Sequence, residues 1–185
     1  MPAFAPAWAD EAPPPPVRTE PPVVGFIDTA KPFCYARTYD DAHMKAHPKQ
    51  KVTGIALTYV PEKMFPEIEQ PQKMWDQYAD YPAFSANIVV TLKGKQGFLL
   101  GGAYCRTGSS KMLECGIEGD GGMFNVLLQE DGRVKLVNDQ GGFTVSEPGV
   151  GMEEEDSEHY PIEPKDDHDA FLMSAEKGGL CDADW

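Results

Sequence analysis

The fold is decided by residues 86–137, which read ANIVVTLKGKQGFLLGGAYCRTGSSKMLECGIEGDGGMFNVLLQEDGRVKLV. Short apolar segments in this stretch alternate with clusters of glycine, serine, lysine or aspartate, which are typical of turns. The apolar segments are 87–92, 98–105, 112–117, 123–128 and 134–137. Asp131-Gly132, between the last two segments, is a strong signal for a tight hairpin turn. Because no crossover helix fits between these segments, we predict consecutive antiparallel strands.

Further strand patterns flank this stretch on both sides. Residues 51–60 alternate with one slip at Gly54, which predicts a β-bulge, and 23–27 form a short apolar run. Residues 143–145 and 170–173 add two more segments. The pattern predicts seven to nine short strands in a mainly β fold, an antiparallel meander that forms a small barrel or a sandwich.

One short N-terminal helix and two long connections complete the predicted fold. Thr38 precedes two aspartates, which is typical of a helix start, and Pro48 pushes His47 out of the helical region. Prolines in 61–83 predict an irregular connection. The acidic residues in 146–165 predict a solvated loop.

The first residues differ in composition from the rest of the chain. Residues 1–22 hold 8 of the 17 prolines, so we expect a disordered, extended leader. Ala7-Trp8-Ala9 has the small-x-small pattern of a signal-peptidase site, which predicts the residual end of a signal peptide. Residues 23–185 are then expected to form a single β domain.

Four widely spaced cysteines and the absence of any C-x-x-C pair favour two disulfides in an oxidising compartment. Four cysteines allow three pairings. We favour Cys105 with Cys115 across one hairpin, which leaves Cys34 with Cys181 to join the two ends of the domain. Reduced, buried thiols are the alternative. With the leader, the cysteines predict a periplasmic or secreted protein.

Charge and hydropathy argue against two classes of protein, those that bind nucleic acid and those that span a membrane. The 185-residue chain has a formal net charge of −14, which disfavours nucleic-acid binding and favours a basic partner. No apolar run approaches the length needed to cross a bilayer, so we predict that the chain is not an integral membrane protein.

Two stretches resemble the signature blocks of an uncharacterised family of small exported bacterial proteins. They are CYARTYDDAHMKAHPKQKVT at 34–53 and GGAYCRTGSSKMLECGIEGDGG at 101–122. The resemblance implies export and a β domain that contains disulfides. The family has no assigned activity, so the resemblance implies no particular chemistry.

Two pairs of residues are candidate binding groups. His43 and His47 are spaced i, i+4 and would share one helix face, where two imidazoles can chelate a metal ion. The alternative is that one caps the helix while the other packs under the sheet. Arg37 and Arg106 could each bind a carboxylate ligand or pair with an internal acid.

No catalytic residue is assigned from the sequence. Met44 replaces the glutamate of the H-E-x-x-H motif, and the chain lacks a nucleophile elbow, a P-loop and a dinucleotide fingerprint. The sequence therefore favours a non-enzymatic protein. A hydrolase that uses unrecognised carboxylates stays open because acidic residues are abundant.

Aromatic residues in and beside the 61–83 connection predict a partner-binding surface, since exposed aromatic rings are common in interfaces. They are Phe65, Trp75, Tyr78, Tyr81 and Phe84. We expect a domain that binds a protein or cell-envelope partner as an accessory or inhibitor. The alternative is a β-barrel that binds metal at the histidine pair or a small ligand in a cavity. That cavity would be lined by Tyr59, Phe98, Tyr104 and Phe124.

Overall fold

The structure is a computed structural model, and it describes residues 23–24, 26–29, 31–60, 83–117, 119–150 and 158–183. One α-helix, α1 (Asp41–Ala46), and one 3-10 helix (Gly179–Asp182) lie among the strands. The strands are β1 (Val23–Val24), β2 (Ile27–Asp28), β3 (Phe33–Thr38), β4 (Val52–Tyr59), β5 (Ala83–Leu92), β6 (Leu99–Ser109), β7 (Met112–Ile117), β8 (Met123–Leu128), β9 (Val134–Val137), β10 (Phe143–Ser146), β11 (His159–Ile162) and β12 (Ala170–Ala175). The predicted leader lies outside the described residues.

Eight of the strands form a closed antiparallel barrel, so the predicted mainly β fold is confirmed and its barrel form is the correct one. Around the barrel the order is β3-β4-β5-β6-β7-β8-β9-β12, and β12 pairs with β3 to close it. Among the described strands that follow β3, chain order is interrupted only by β10 and β11, which pair with each other and extend from β6. The architecture is therefore an up-and-down meander with one inserted hairpin.

Alternation of side chains along each strand fills the interior of the barrel. In β6, the inward residues from Leu99 to Cys105 are buried, whereas Gly102 and Tyr104 face outward. The largest fully buried side chains include Tyr59, Phe84, Phe124, Phe143 and Phe171. An eight-stranded barrel has an interior that side chains of this size can fill. The core thus lies inside the barrel.

This packing corrects the predicted ligand cavity. Tyr59 and Phe124 are part of the interior core. Phe98 instead packs against a separate cluster outside the barrel, and the Tyr104 side chain is 38% exposed on the outer surface. The four residues do not line one cavity, because strand alternation sends them to opposite faces of the sheet.

Both favoured disulfides are present. Cys105 and Cys115 lie directly opposite each other on β6 and β7, with a Cα–Cα distance of 4.1 Å. Cys34 on β3 is bonded to Cys181 in the 3-10 helix, with a Cα–Cα distance of 5.8 Å. Two disulfides favour an oxidising, extracellular-type environment.

The second disulfide lies at the seam where the barrel closes. Strands β12 and β3 share only two register pairs, Ser174 with Ala36 and Ala175 with Tyr35. The 3-10 helix covers this region from outside, where Leu180 and Cys181 pack against a small cluster that includes Ala36. The first and last strands of the barrel are therefore held by a short ladder, a covalent bond and a helical cover.

Several local predictions are confirmed and others are wrong. The register of β4 shifts between Val52 and Gly54, which confirms the predicted bulge, and helix α1 ends at its C-cap His47 as expected. Thr38 does not cap the helix, because it is still part of β3. The cap is Asp40, whose Oδ1 accepts a hydrogen bond from the His43 amide at 2.8 Å.

Strands β3 and β11 were not predicted, and one predicted strand covers parts of both β1 and β2. Residues 23–27 do not form a single strand but span β1 and the start of β2, which pair with each other. Strand β3 was not recognised beside the helix. Strand β11 falls in the stretch predicted to be a solvated loop. Its Pro161 is compatible with a strand because β11 pairs only with β10 and lies at a sheet edge.

Candidate functional site

Four planar side chains form a stacked column beside helix α1. The Arg37 guanidinium lies 5.3 Å from the centre of the Tyr39 ring, which in turn stacks on His43 at 4.4 Å. His43 stacks on His47 at 4.3 Å with an angle of 17° between the rings. None of the helix residues is buried, and the column links His43 of the helix to Arg37 near the end of β3.

The two histidines share one helix face as predicted, but their rings do not converge on a common point. His43 Nε2 lies 3.0 Å from Gln50 Oε1, and His47 Nδ1 lies 3.4 Å from Asp167 Oδ2. Nitrogen lone pairs lie in the ring plane, so stacked parallel rings cannot direct them to one ion. Within the described ranges, no three or more histidine, cysteine or acidic residues form a metal-binding group. Metal binding would require both rings to turn, and it stays a prediction.

The two candidate arginines lie on β3 and β6, which are three strands apart in the barrel. Arg106 is opposite Glu114 on the neighbouring strand, and its Nη2 lies 2.9 Å from Glu114 Oε2. The strand register places Arg37 level with Leu99, seven residues from Arg106 along β6. Seven residues of strand span about 23 Å. The two guanidinium groups therefore cannot belong to one ligand site.

The predicted aromatic partner surface is corrected at Phe84. Its side chain is 1% exposed and makes edge contacts with the rings of Phe33 at 5.8 Å and Tyr59 at 5.6 Å. Phe84 belongs to the core because it occupies an inward position of β5. The other four members of the predicted set lie outside the described residues: Phe65, Trp75, Tyr78 and Tyr81.

A different surface collects the exposed apolar side chains. Among the described residues, the three exposed large hydrophobic side chains are Tyr104, Met123 and Leu172, which are 38%, 41% and 36% exposed. Tyr104, Met123 and Leu172 point outward from β6, β8 and β12, which are alternate members of the five consecutive barrel strands β6-β7-β8-β9-β12. Leu172 therefore lies four strands away from Tyr104 in the eight-strand ring, whereas Met123 lies two strands away from Tyr104. We call this surface the outer wall, and its outward residues are Tyr104, Arg106, Met112, Glu114, Gly116, Met123, Asn125, Leu127, Lys135, Val137, Ala170 and Leu172.

Strand register arranges the outer wall in rows. Tyr104 is opposite Gly116, which is opposite Met123. A Cβ atom added at Gly116 would meet only the Gly122 carbonyl, at 4.0 Å, so the surface between the two large side chains is an open notch. A second row places Leu172 opposite Lys135. The first row therefore combines two large side chains with one recess, whereas the second row combines an apolar side chain with a cation.

Charge is distributed unevenly between the wall and its borders. The wall holds two cations, Arg106 and Lys135, and one acid, Glu114, although the chain as a whole has a net charge of −14. The turns around the wall carry exposed acids, which are Asp120, Glu130, Asp131, Asp139 and Asp169. Hydrogen bonds from Arg133 lower the pKa of Asp131. The wall is thus an apolar centre inside a largely acidic rim.

The second candidate site is a cavity of about 170 Å³ near helix α1, which we call the barrel-end pocket. It is lined by Lys51, Leu92, Tyr160, Pro161, Ile162, Glu163, Lys165, Asp166 and His168. The Tyr160 hydroxyl accepts a hydrogen bond from Lys95 Nζ at 2.7 Å. This bond and the contact of Lys95 with Glu147 raise the pKa of Lys95. The pocket combines apolar, cationic and acidic groups in a small space.

His168 anchors the loop that forms one side of this pocket. It is 4% exposed, and its Nε2 accepts hydrogen bonds from the amides of Lys51 at 2.9 Å and Val52 at 3.3 Å. Burial lowers the pKa of His168, which keeps the ring neutral and able to accept. The preceding Asp166 and Asp167 both have left-handed backbone conformations, with φ of 58° and 66°.

Sequence reasoning missed both regions for identifiable reasons. The outer-wall residues lie in correctly predicted strands, but the pattern does not say which apolar positions remain exposed. Among the residues that line the pocket, 160–165 were assigned to the solvated acidic loop of 146–165, and no element was assigned to 166–169. The sequence signal for the pocket loop was His168, which stands among three aspartates at 166, 167 and 169. A single histidine within an acidic run is unusual for a loop that is fully solvated.

Comparison of the chain with protein-family models, with curated proteins and with solved structures found no significant match in any of the three. In the part of the chain that the structure describes, neither helix has the length and apolar character to cross a membrane. Function must therefore be argued from the surfaces themselves.

Proposed function

We propose that this chain is a non-enzymatic periplasmic or secreted β-barrel domain that binds a protein partner through its outer wall. The observation that carries the proposal is the Tyr104–Gly116–Met123 row, which holds two of the three exposed large hydrophobic side chains of the described residues. Contiguous exposed apolar surface marks interaction sites in proteins that fold on their own.

The packing of the barrel supports a role for the outer surface. Aromatic and aliphatic side chains occupy the barrel interior. Binding is therefore assigned to the outside, where the Tyr104–Gly116–Met123 row offers two large side chains and a recess. Interfaces gain most of their affinity from a few such anchor residues that fit into recesses of the partner.

The charges around the wall define the chemistry of the partner. An apolar centre within an acidic rim is complementary to a protein with an apolar patch surrounded by lysine and arginine. The net charge of −14 would accelerate encounter with such a partner, and added salt would slow it. Export, which the two disulfides and the leader support, would place this partner in the cell envelope or outside the cell.

The proposal can be tested by site-specific photo-crosslinking in envelope extract from the natural host. A crosslinker at Met123 or Tyr104 should label one basic protein, whereas the same group at the exposed Gln96 should not. Equal labelling from all three positions would contradict a specific interface.

The partner should then be purified and titrated with variants. Met123→Glu should weaken binding at least about tenfold, since loss of a central apolar anchor costs more than about 1 kcal/mol. Gln96→Glu adds the same charge away from the wall and serves as the matched control. Unchanged affinity for Met123→Glu and Tyr104→Glu, with both variants folded by circular dichroism, would refute the proposal.

A further inference from the structure

We infer that the barrel-end pocket binds a small zwitterion, specifically a free α-amino acid with an apolar side chain. This inference concerns a site separate from the outer wall and does not rest on the function proposed for that wall. It follows from the size of the pocket, from the charges that line it and from the way its loop is held.

The size of the pocket sets the size of the ligand. A cavity of about 170 Å³ is well below the range of about 300–1,000 Å³ that is typical of sites for drug-sized molecules. Leu92, Pro161 and Ile162 supply an apolar lining. A molecule with one short hydrocarbon side chain suits this space.

The pocket contains one cation and one anion that are not neutralised by each other. Glu163 and Lys165 form an ion pair, and Lys165 also has a weaker electrostatic interaction with Asp166. Lys51 and Asp166 also line the pocket, and neither forms an ion pair with any of the described residues. A ligand carboxylate can bind the Lys51 ammonium while its ammonium binds Asp166. An α-amino acid carries both groups.

The loop beside the pocket is fixed before any ligand binds. Asp166 and Asp167 adopt left-handed conformations, which are uncommon outside glycine although aspartate is among the residues that adopt them most often. The contact of Asp167 with His47 and the two bonds to His168 hold the loop against the backbone of Lys51. A pre-formed site loses little conformational entropy on binding.

Three related compounds separate the contributions of the two charges. L-leucine carries both charged groups, 4-methylpentanoate lacks the ammonium group, and 3-methylbutylamine lacks the carboxylate. Calorimetric titration of the full chain should give saturable leucine binding with Kd of about 1 mM or tighter. Each single-charge compound should bind at least about tenfold more weakly. Absence of leucine binding up to about 50 mM, or equal binding of all three, would overturn the inference.

Two variants assign the charges to their residues. Lys51→Gln should weaken leucine binding at least about tenfold, and Lys177→Gln, at an exposed position after β12, should leave it unchanged. Asp166→Asn removes the anion but tolerates the same left-handed backbone. It should weaken leucine binding without weakening that of 4-methylpentanoate. Wild-type affinity in both Lys51→Gln and Asp166→Asn would overturn the inference, whatever the outcome at the outer wall.

Discussion

The Cys34–Cys181 bond should be the larger of the two covalent contributions to stability. It joins residues separated by 147 positions, whereas Cys105 and Cys115 are separated by 10. In the chain-entropy model, closing loops of these sizes stabilises the folded state by about 5 kcal/mol and about 3 kcal/mol, respectively. Because a typical domain has only about 5–15 kcal/mol of total stability, breaking the first bond should be severe.

The position of the bond makes this loss structural as well as entropic. The seam between β12 and β3 has two register pairs and a further backbone bond from the Glu176 amide to the Cys34 carbonyl at 3.1 Å. Without the disulfide, this short ladder and the 3-10 helix must hold the barrel closed. We therefore expect opening to begin at the seam, which amide hydrogen exchange on β3 and β12 would detect.

The measurement should change the crosslink without changing the packing. In the Cys105→Ala/Cys115→Ala background, chemical denaturation of oxidised and reduced protein isolates the Cys34–Cys181 bond. The reciprocal Cys34→Ala/Cys181→Ala background isolates the hairpin bond. The first comparison should show a loss of about 5 kcal/mol and a fall in Tm of about 10–20 °C. A larger loss from the hairpin bond than from the seam bond would refute this reasoning.

Three further predictions concern single residues. Burial lowers the pKa of His168 below its ordinary value of 6.5, so the unfolded chain takes up the proton first and stability is lost as pH falls below 6.5. The unfolding free energies measured at pH 5 and pH 7.5 should therefore differ less for His168→Gln than for the wild type. Gly101→Ala should cost about 1–3 kcal/mol because its Cβ would lie 2.9 Å from Ile88 Cγ2, whereas Gly116→Ala, with nothing closer than 4.0 Å, should cost much less in the same denaturation assay. Asn138→Ala should lower the unfolding free energy by about 1–3 kcal/mol, because the buried amide donates to the Ile162 carbonyl at 2.7 Å and to the His168 carbonyl at 3.1 Å.

Each of these predictions has a result that would contradict it. Equal pH dependence in wild type and His168→Gln would mean that other groups cause the acid loss. Equal stability of the two glycine variants would mean that the barrel wall adjusts to a methyl group at Gly101. A wild-type unfolding midpoint for Asn138→Ala would mean that its hydrogen bonds are replaced by others.

Local patterns were sufficient wherever a residue and its immediate neighbours determine the conformation. The strands of residues 87–137, the Asp131-Gly132 turn and the bulge at Gly54 follow from alternation and turn chemistry, and all are present. Local patterns did not predict the strands whose extent depends on a partner strand beside them. Strand β11 contains a proline and forms because β10 is beside it, and Thr38 extends β3 because β4 pairs with it.

The candidate sites were harder to predict than the elements that carry them. The histidine pair was found on one helix face, but the sequence did not show that the two rings stack on each other or that His43 contacts Tyr39 and Gln50. Phe84 is aromatic, as many interface residues are, and only its inward position on β5 shows that it is a core residue. The same register turns Met123 outward.

By itself, the amino-acid sequence determined a mainly β chain with antiparallel neighbours and two favoured cysteine pairs, because side-chain alternation, turn residues and cysteine spacing are local properties. Only the tertiary structure decided that the sheet closes as a barrel, that its wall exposes an apolar centre, and that Lys51 and Asp166 line one pocket. These features depend on contacts between residues far apart in the chain, such as Ser174 with Ala36, and no local pattern specifies which distant strands meet.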